Sequence, residues 1–141
     1  MVPASGNFYP CFHIANVQQT DPNTIETVYT FSIDSAVTGT FTGSLVLTER
    51  DVIHPDGSIT FDGSAIFVSA YSCGTLVFSY TGKGNVNTHQ ESGHFVGSQG
   101  TGCLAGIYSV GTFEGVLGAV RGGCDDAGDN VSYNGQYLFA P

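Results

Sequence analysis

Residues 97–115 read GSQGTGCLAGIYSVGTFEG, with six glycines among nineteen positions. Glycine loses more backbone freedom on folding than any other residue, so this density answers a geometric need. Gly111 and Gly115 flank Phe113 at i−2 and i+2, which in an extended chain puts all three on one face. Gly39 and Gly43 flank Phe41 with the same spacing. Glycine inside a strand marks a bulge, a sharp bend or a close backbone approach. A large ring between two hydrogens suits the crowded, tapering interior of a small barrel, where side chains alternate in size. The stretch predicts a strongly curved, closed sheet, with a flat two-sheet sandwich as the alternative.

The rest of the chain agrees with an all-β reading. Ile59, Phe61, Gly63, Ala65 and Phe67 alternate with Thr60, Asp62 and Ser64, with Ile66 as the exception. Phe41, Gly43, Leu45 and Leu47 alternate with Thr40, Thr42, Ser44 and Thr48, and Leu76, Phe78 and Tyr80 with Thr75, Val77, Ser79 and Thr81. No segment sustains the i, i+3, i+4, i+7 pattern of an amphipathic helix. HPDG at 54–57 is a hairpin turn signal, SCG at 72–74 and TGKGN at 81–85 punctuate a strand, and DPN at 21–23 separates two early segments. The spacing predicts eight antiparallel strands at roughly 8–18, 25–34, 37–49, 58–69, 74–82, 92–99, 106–117 and 131–139. An eight-stranded β-barrel has an interior just wide enough for side chains or one small ligand.

The 141 residues form one domain with no composition shift. Charged residues are 11% of the chain against roughly 25% in an average soluble protein, so Ser, Thr, Asn and Gln carry the solubility. Three Lys and Arg against twelve Asp and Glu give a net charge of −9. Such a field repels phosphate backbones and anionic lipids, which excludes nucleic acid and membrane as expected partners. No apolar run is long enough for a membrane helix, and the N-terminal residues lack a signal-peptide pattern.

Cys11, Cys73, Cys103 and Cys124 form no C-x-x-C pair, so they carry no zinc-ribbon or thioredoxin signal. They read either as buried thiols of an intracellular enzyme or as disulfides of a secreted protein. The first pairing to expect is Cys103 with Cys124, since both lie in Gly-rich turns flanking one predicted strand.

The segment GTGCLAGIYSVGTFEG resembles the glycine-spaced G-T-G-x-L/F-x-G pattern of the allene oxide cyclase-like barrel superfamily, in particular its bacterial and fungal members and more distantly the dirigent proteins. GTFTGSLVLTERDVIHPDGSITFDGSAIF and CGTLVFSYTGKG follow the same order of elements, so the resemblance covers about residues 38–117. It implies an eight-stranded antiparallel barrel of lipocalin-like, calycin type. It also implies a cofactor-free isomerase or cyclase, including Diels-Alder-type pericyclases, that shapes a flexible apolar secondary-metabolite intermediate, and assembly as a dimer or trimer. No catalytic residue of allene oxide cyclases or dirigent proteins maps onto a position here, so the reaction is carried by fold analogy alone.

Within that frame the candidate catalytic groups are Glu49, Arg50 and His94. Glu49 and Arg50 stand with Asp51 and His54 in TERDVIH at the end of a predicted strand, against the reading of a solvated hairpin loop. The candidate walls are Phe41, Phe61, Phe78, Phe113 and Tyr137, among ten Phe and seven Tyr that otherwise fill the core. His94 follows His89 by five positions, so in a strand their rings face opposite ways and share no metal without a bulge. Asp125, Asp126, Asp129 and Asn130 lack the alternate spacing of a calcium loop and read as a turn. Glu114 and Asp62 should point outward if Phe113 and Phe61 point in. No metal and no cofactor is expected, and nucleotide and flavin fingerprints are absent. The alternative function is a non-catalytic small-ligand carrier or a filled structural barrel. A cavity below about 300 Å³ speaks against both cyclase and carrier, and two disulfides favour a secreted module.

Overall fold

The protein, described from a computed structural model, is defined over residues 1–19, 26–118 and 121–140. Its eight strands are β1 (Val2–Gln19), β2 (Thr27–Gly39), β3 (Gly43–Ile53), β4 (Ser58–Ser69), β5 (Thr75–Asn85), β6 (Gln90–Ser98), β7 (Ile107–Leu117) and β8 (Asp126–Phe139). Each pairs antiparallel with the next, and β8 pairs back onto β1, so the sheet closes into a barrel and the sandwich alternative falls. Single 3₁₀ turns at Ala70–Ser72 and Gly102–Leu104 are the other regular elements. Among the described residues no helix is long and apolar enough to cross a membrane. The DPN turn expected at 21–23 lies outside the described residues.

Closure explains two corrected boundaries. Strands β1 and β8 are longer than expected because they seal the barrel against each other, from Val2 opposite Tyr137 to Phe12 opposite Asp126. Asp126, expected in a turn, therefore opens a strand, while the side chains of Asp129 and Asn130 are not described. Pro10, which has no N–H to donate, sits where the β1–β8 register shifts between Phe8 and Cys11.

A third correction concerns Phe41, expected inside a strand. The chain instead turns at Thr40–Thr42 between β2 and β3, with Gly39 at φ +97°, a backbone conformation glycine adopts without strain. Phe41 hangs from this turn into the base of the barrel, packing on Phe67, Phe78 and Tyr137 at centroid distances of 5.9, 6.1 and 6.0 Å. The Tyr133 hydroxyl fastens the turn, donating to the Thr38 carbonyl at 2.8 Å and accepting the Phe41 N–H at 3.0 Å.

The interior glycines face rings on the neighbouring strand rather than along their own. Register pairs Gly63 with Tyr80, Gly82 with Phe61, Gly97 with Phe78, Gly93 with Phe113, Gly111 with Phe95 and Gly6 with Tyr133. In each pair the ring lies over the space a Cβ would fill; a Cβ at Gly93 would stand 2.5 Å from the Phe113 ring. Six aromatics thus fit within one narrow barrel because each has a neighbour with no side chain.

The disulfides are Cys73–Cys103 and Cys11–Cys124, not Cys103–Cys124. The expected pair flanks β7, whose eleven residues place its two ends roughly 35 Å apart, far beyond the Cα separation a disulfide spans. Cys73 and Cys103 instead meet at the base, between the β4–β5 and β6–β7 connections. Cys11 and Cys124 join β1 to the β7–β8 connection at the opposite end, here called the mouth.

Candidate active site in the barrel interior

The inward face of β3 continues from Leu45 and Leu47 through Glu49 to Asp51, because side chains two residues apart share a face. Two acids are thereby carried into the barrel, and β6 brings a third, Glu91, on the same face as Phe95. Glu49, Asp51 and Glu91 are only 5%, 8% and 8% exposed. Among the described residues none of the three forms an ion pair with Arg50, Lys83 or Arg121, all of which are exposed.

These acids stand at the mouth end of an apolar cavity of about 90 Å³. Phe41, Phe61, Phe78 and Phe113 line it, with Phe95 and Tyr133. Tyr137 belongs to the surrounding core, packed on Phe41, but does not line the cavity.

Tyr80 supplies the polar link. It sits on β5, two strands from Glu49, with Gly63 of β4 directly between them in register. Because Gly63 has no side chain, the Tyr80 hydroxyl crosses β4 and donates to Glu49 Oε1 at 2.9 Å.

Burial pushes the Glu49 carboxyl well above the usual carboxylate range, and the neighbouring Asp51 and Glu91 push it further, against the opposing hydrogen bond from Tyr80. Burial thus favours the protonated form of Glu49. Burial also raises Asp51, helped by the charges of Asp62 and Asp126 and opposed by its bond with Glu49. Burial, with Asp51 and Asp126 adding, raises Glu91 to about 8. The Tyr80 phenol is pushed far up, first by burial and then by the neighbouring acids Glu49, Asp51 and Glu91, so it acts only as a neutral donor. The result is a carboxyl whose protonated form burial favours, a phenol and an aromatic wall around one apolar cavity, a set suited to delivering a proton to an apolar substrate.

Of the expected catalytic groups only Glu49 reaches this site. Arg50 and His94 are exposed on the outer face, opposite Glu49 and Phe95 in the two-residue alternation of their strands. His54 is held outside the cavity by Glu26, its Nδ1 3.1 Å from Oε1. Glu114 and Asp62 point outward beside inward Phe113 and Phe61, as expected. Asp51 belongs to the TERDVIH cluster singled out in the sequence, though without a role of its own, whereas Glu91 and Tyr80 lie outside the expected set. Among the described residues one group carries metal-type ligands, Cys11, His13 and Asp34, and the Cys11 sulfur is committed to a disulfide. No family model matches the chain, and no curated protein matches it significantly.

Proposed function

We propose that this protein is a cofactor-free isomerase or cyclase, of the allene oxide cyclase-like barrel type, in which Glu49 protonates a small apolar substrate held among Phe61, Phe78 and Phe113. The observation that carries it is the Glu49–Tyr80 pair. A protonated acid and a phenol donor, both buried and without a cation, face an aromatic cavity. Acids perturbed by burial and by specific neighbours, set in a cavity, are candidates for a functional site.

The proton balance is simple. Glu49 delivers its proton to an alkene carbon or to the oxygen of a carbonyl or epoxide, the Tyr80 hydroxyl stabilises the carboxylate left behind, and that carboxylate removes a proton from another carbon. The protein ends as it began, and the substrate is isomerised or ring-closed. Confinement against the aromatic wall contributes by holding the reacting atoms together. The volume of about 90 Å³ falls below the roughly 300 Å³ expected of a cyclase or carrier cavity and so weighs against a large substrate; the reading holds only for a small molecule or for the reacting segment of a larger one.

The test is turnover of small β,γ-unsaturated ketones, aldehydes and epoxides in D₂O, followed by deuterium incorporation. E49Q should lower the rate by about 10²-fold or more. Absence of turnover across that panel by folded wild-type protein, or an E49Q variant as fast as wild type, would overturn the reading.

A second reading is a secreted, non-catalytic barrel with a filled interior. It is favoured by the same small cavity, well under the roughly 300 Å³ of ordinary ligand sites, and by the two disulfides, which suit an oxidising compartment.

A further inference from the structure

We propose that the mouth of the barrel binds a primary alkylammonium ion, its nitrogen held by Asp51 and Glu91 and its chain laid past Phe61 toward the apolar interior. The mouth is a distinct cavity of about 180 Å³, lined by Asp51, Glu91 and Asp126 together with Phe61, Asn85 and His89. Glu91 and Phe61 line the inner cavity as well, so the two spaces adjoin.

Four observations select this ligand. First, Asp51 Oδ1 is buried in the mouth with no hydrogen-bond partner among the described residues, an unsatisfied acceptor in a residue only 8% exposed. Leaving such an atom unpaired is costly, and an N–H donor relieves it. Second, among the described residues no Lys or Arg lines the mouth. Third, no three of the mouth's acids bring ligand atoms within 4.8 Å of one another, so they do not form the close oxygen cage a single calcium or magnesium ion needs. An ammonium group asks for less, two or three acceptors at hydrogen-bond distance. Fourth, the floor of the mouth is Phe61 and an apolar cavity, which welcomes a hydrocarbon chain and rejects a hydrated inorganic ion.

The titratable groups facing the site are Asp51 on β3, Glu91 on β6, Asp126 on β8 and His89 in the β5–β6 turn, with Glu49 one step deeper on β3. Burial favours the protonated forms of Asp51 and Glu91, so a cation that ionises them must release protons on binding. The site goes beyond the proposed isomerase chemistry and is read without any turnover, so the two stand or fall separately.

The experiment is calorimetric titration and thermal denaturation of the full chain at mildly alkaline pH with n-hexylamine hydrochloride, n-hexanol as the uncharged counterpart, and calcium chloride. The expected result is binding and a raised Tm with n-hexylamine, little effect of n-hexanol or calcium, and a binding heat that depends on buffer ionisation because protons leave. D51N should weaken n-hexylamine binding by about tenfold or more. The proposal is overturned if n-hexylamine does not bind, if n-hexanol binds as tightly, if calcium alone raises the Tm, or if folded D51N binds n-hexylamine as wild type does. Should D51N not fold, E91Q carries the same test, and undiminished binding in E91Q overturns the assignment.

Discussion

The Tyr80 hydroxyl reaches Glu49 Oε1 at 2.9 Å by passing over Gly63 on the intervening strand. This bond stabilises the carboxylate and so opposes the upward push of burial on Glu49. Y80F removes it while keeping the ring in place. The Glu49 pKa should rise further, seen as a carboxylic C=O infrared band persisting to higher pH, and stability should fall by about 1–3 kcal/mol for the buried acceptor left without its donor. An unchanged band in folded Y80F would show that the bond does not govern Glu49.

G63A tests the same passage from the other side. A Cβ at Gly63 would stand 2.5 Å from the Tyr80 oxygen and 2.6 Å from the Thr48 carbonyl, so the phenol must shift away from Glu49. Overpacking of this kind costs about 1–3 kcal/mol. S64A, at the outward-facing next position, should change stability by no more than about 0.5 kcal/mol. Denaturant unfolding of the two variants makes the comparison, and equal losses would remove the steric argument.

The buried acids set the direction of the pH dependence. Glu91 titrates near 4.5 when unperturbed and at about 8 in the folded protein, so the native state binds more protons than the unfolded state between those values. Stability is therefore fully present below about pH 4.5, declines as pH rises, and levels off above about 8, with Glu49 and Asp51 acting in the same sense. The Glu91 contribution is at most about 5 kcal/mol. Calorimetric Tm values should fall across that window, and E91Q should flatten the fall. A Tm that rises with pH would contradict the placement of Glu91.

The disulfides close loops of different length, with sequence separations of 30 for Cys73–Cys103 and 113 for Cys11–Cys124. On the chain-entropy account their removal costs about 3.5 and about 5 kcal/mol respectively. The paired serine variants should lose stability in that order in urea unfolding. Retention of all four thiols as free groups in purified protein, counted under denaturing conditions, would contradict the pairing itself.

Much of the barrel is legible as parity. Once Phe61, Phe78 and Phe113 are taken as inward, Asp62 and Glu114 must be outward, and they are. The same rule applied without regard to charge carries Leu45 and Leu47 on to Glu49 and Asp51, and Phe95 back through Gly93 to Glu91. It also turns Arg50 and His94 outward. The general rule that charged residues stay exposed hides the acids, and it fails at Glu49, Asp51 and Glu91. Pairing across strands has no comparable signal. Which glycine receives which ring, and which cysteines meet, depends on register and on which connections share an end of the barrel, neither of which a single strand's pattern records.

The matched rings and glycines also act as a lock and a volume dial. Sliding any interior strand by one position would swing its rings to the outside, and sliding it by two would drive at least some of them against a neighbour's Cβ, so only one alignment closes the cylinder. Trimming a single ring, by contrast, opens room beside a position that is already empty, and the hollow can be widened step by step while the backbone around it stays where it is.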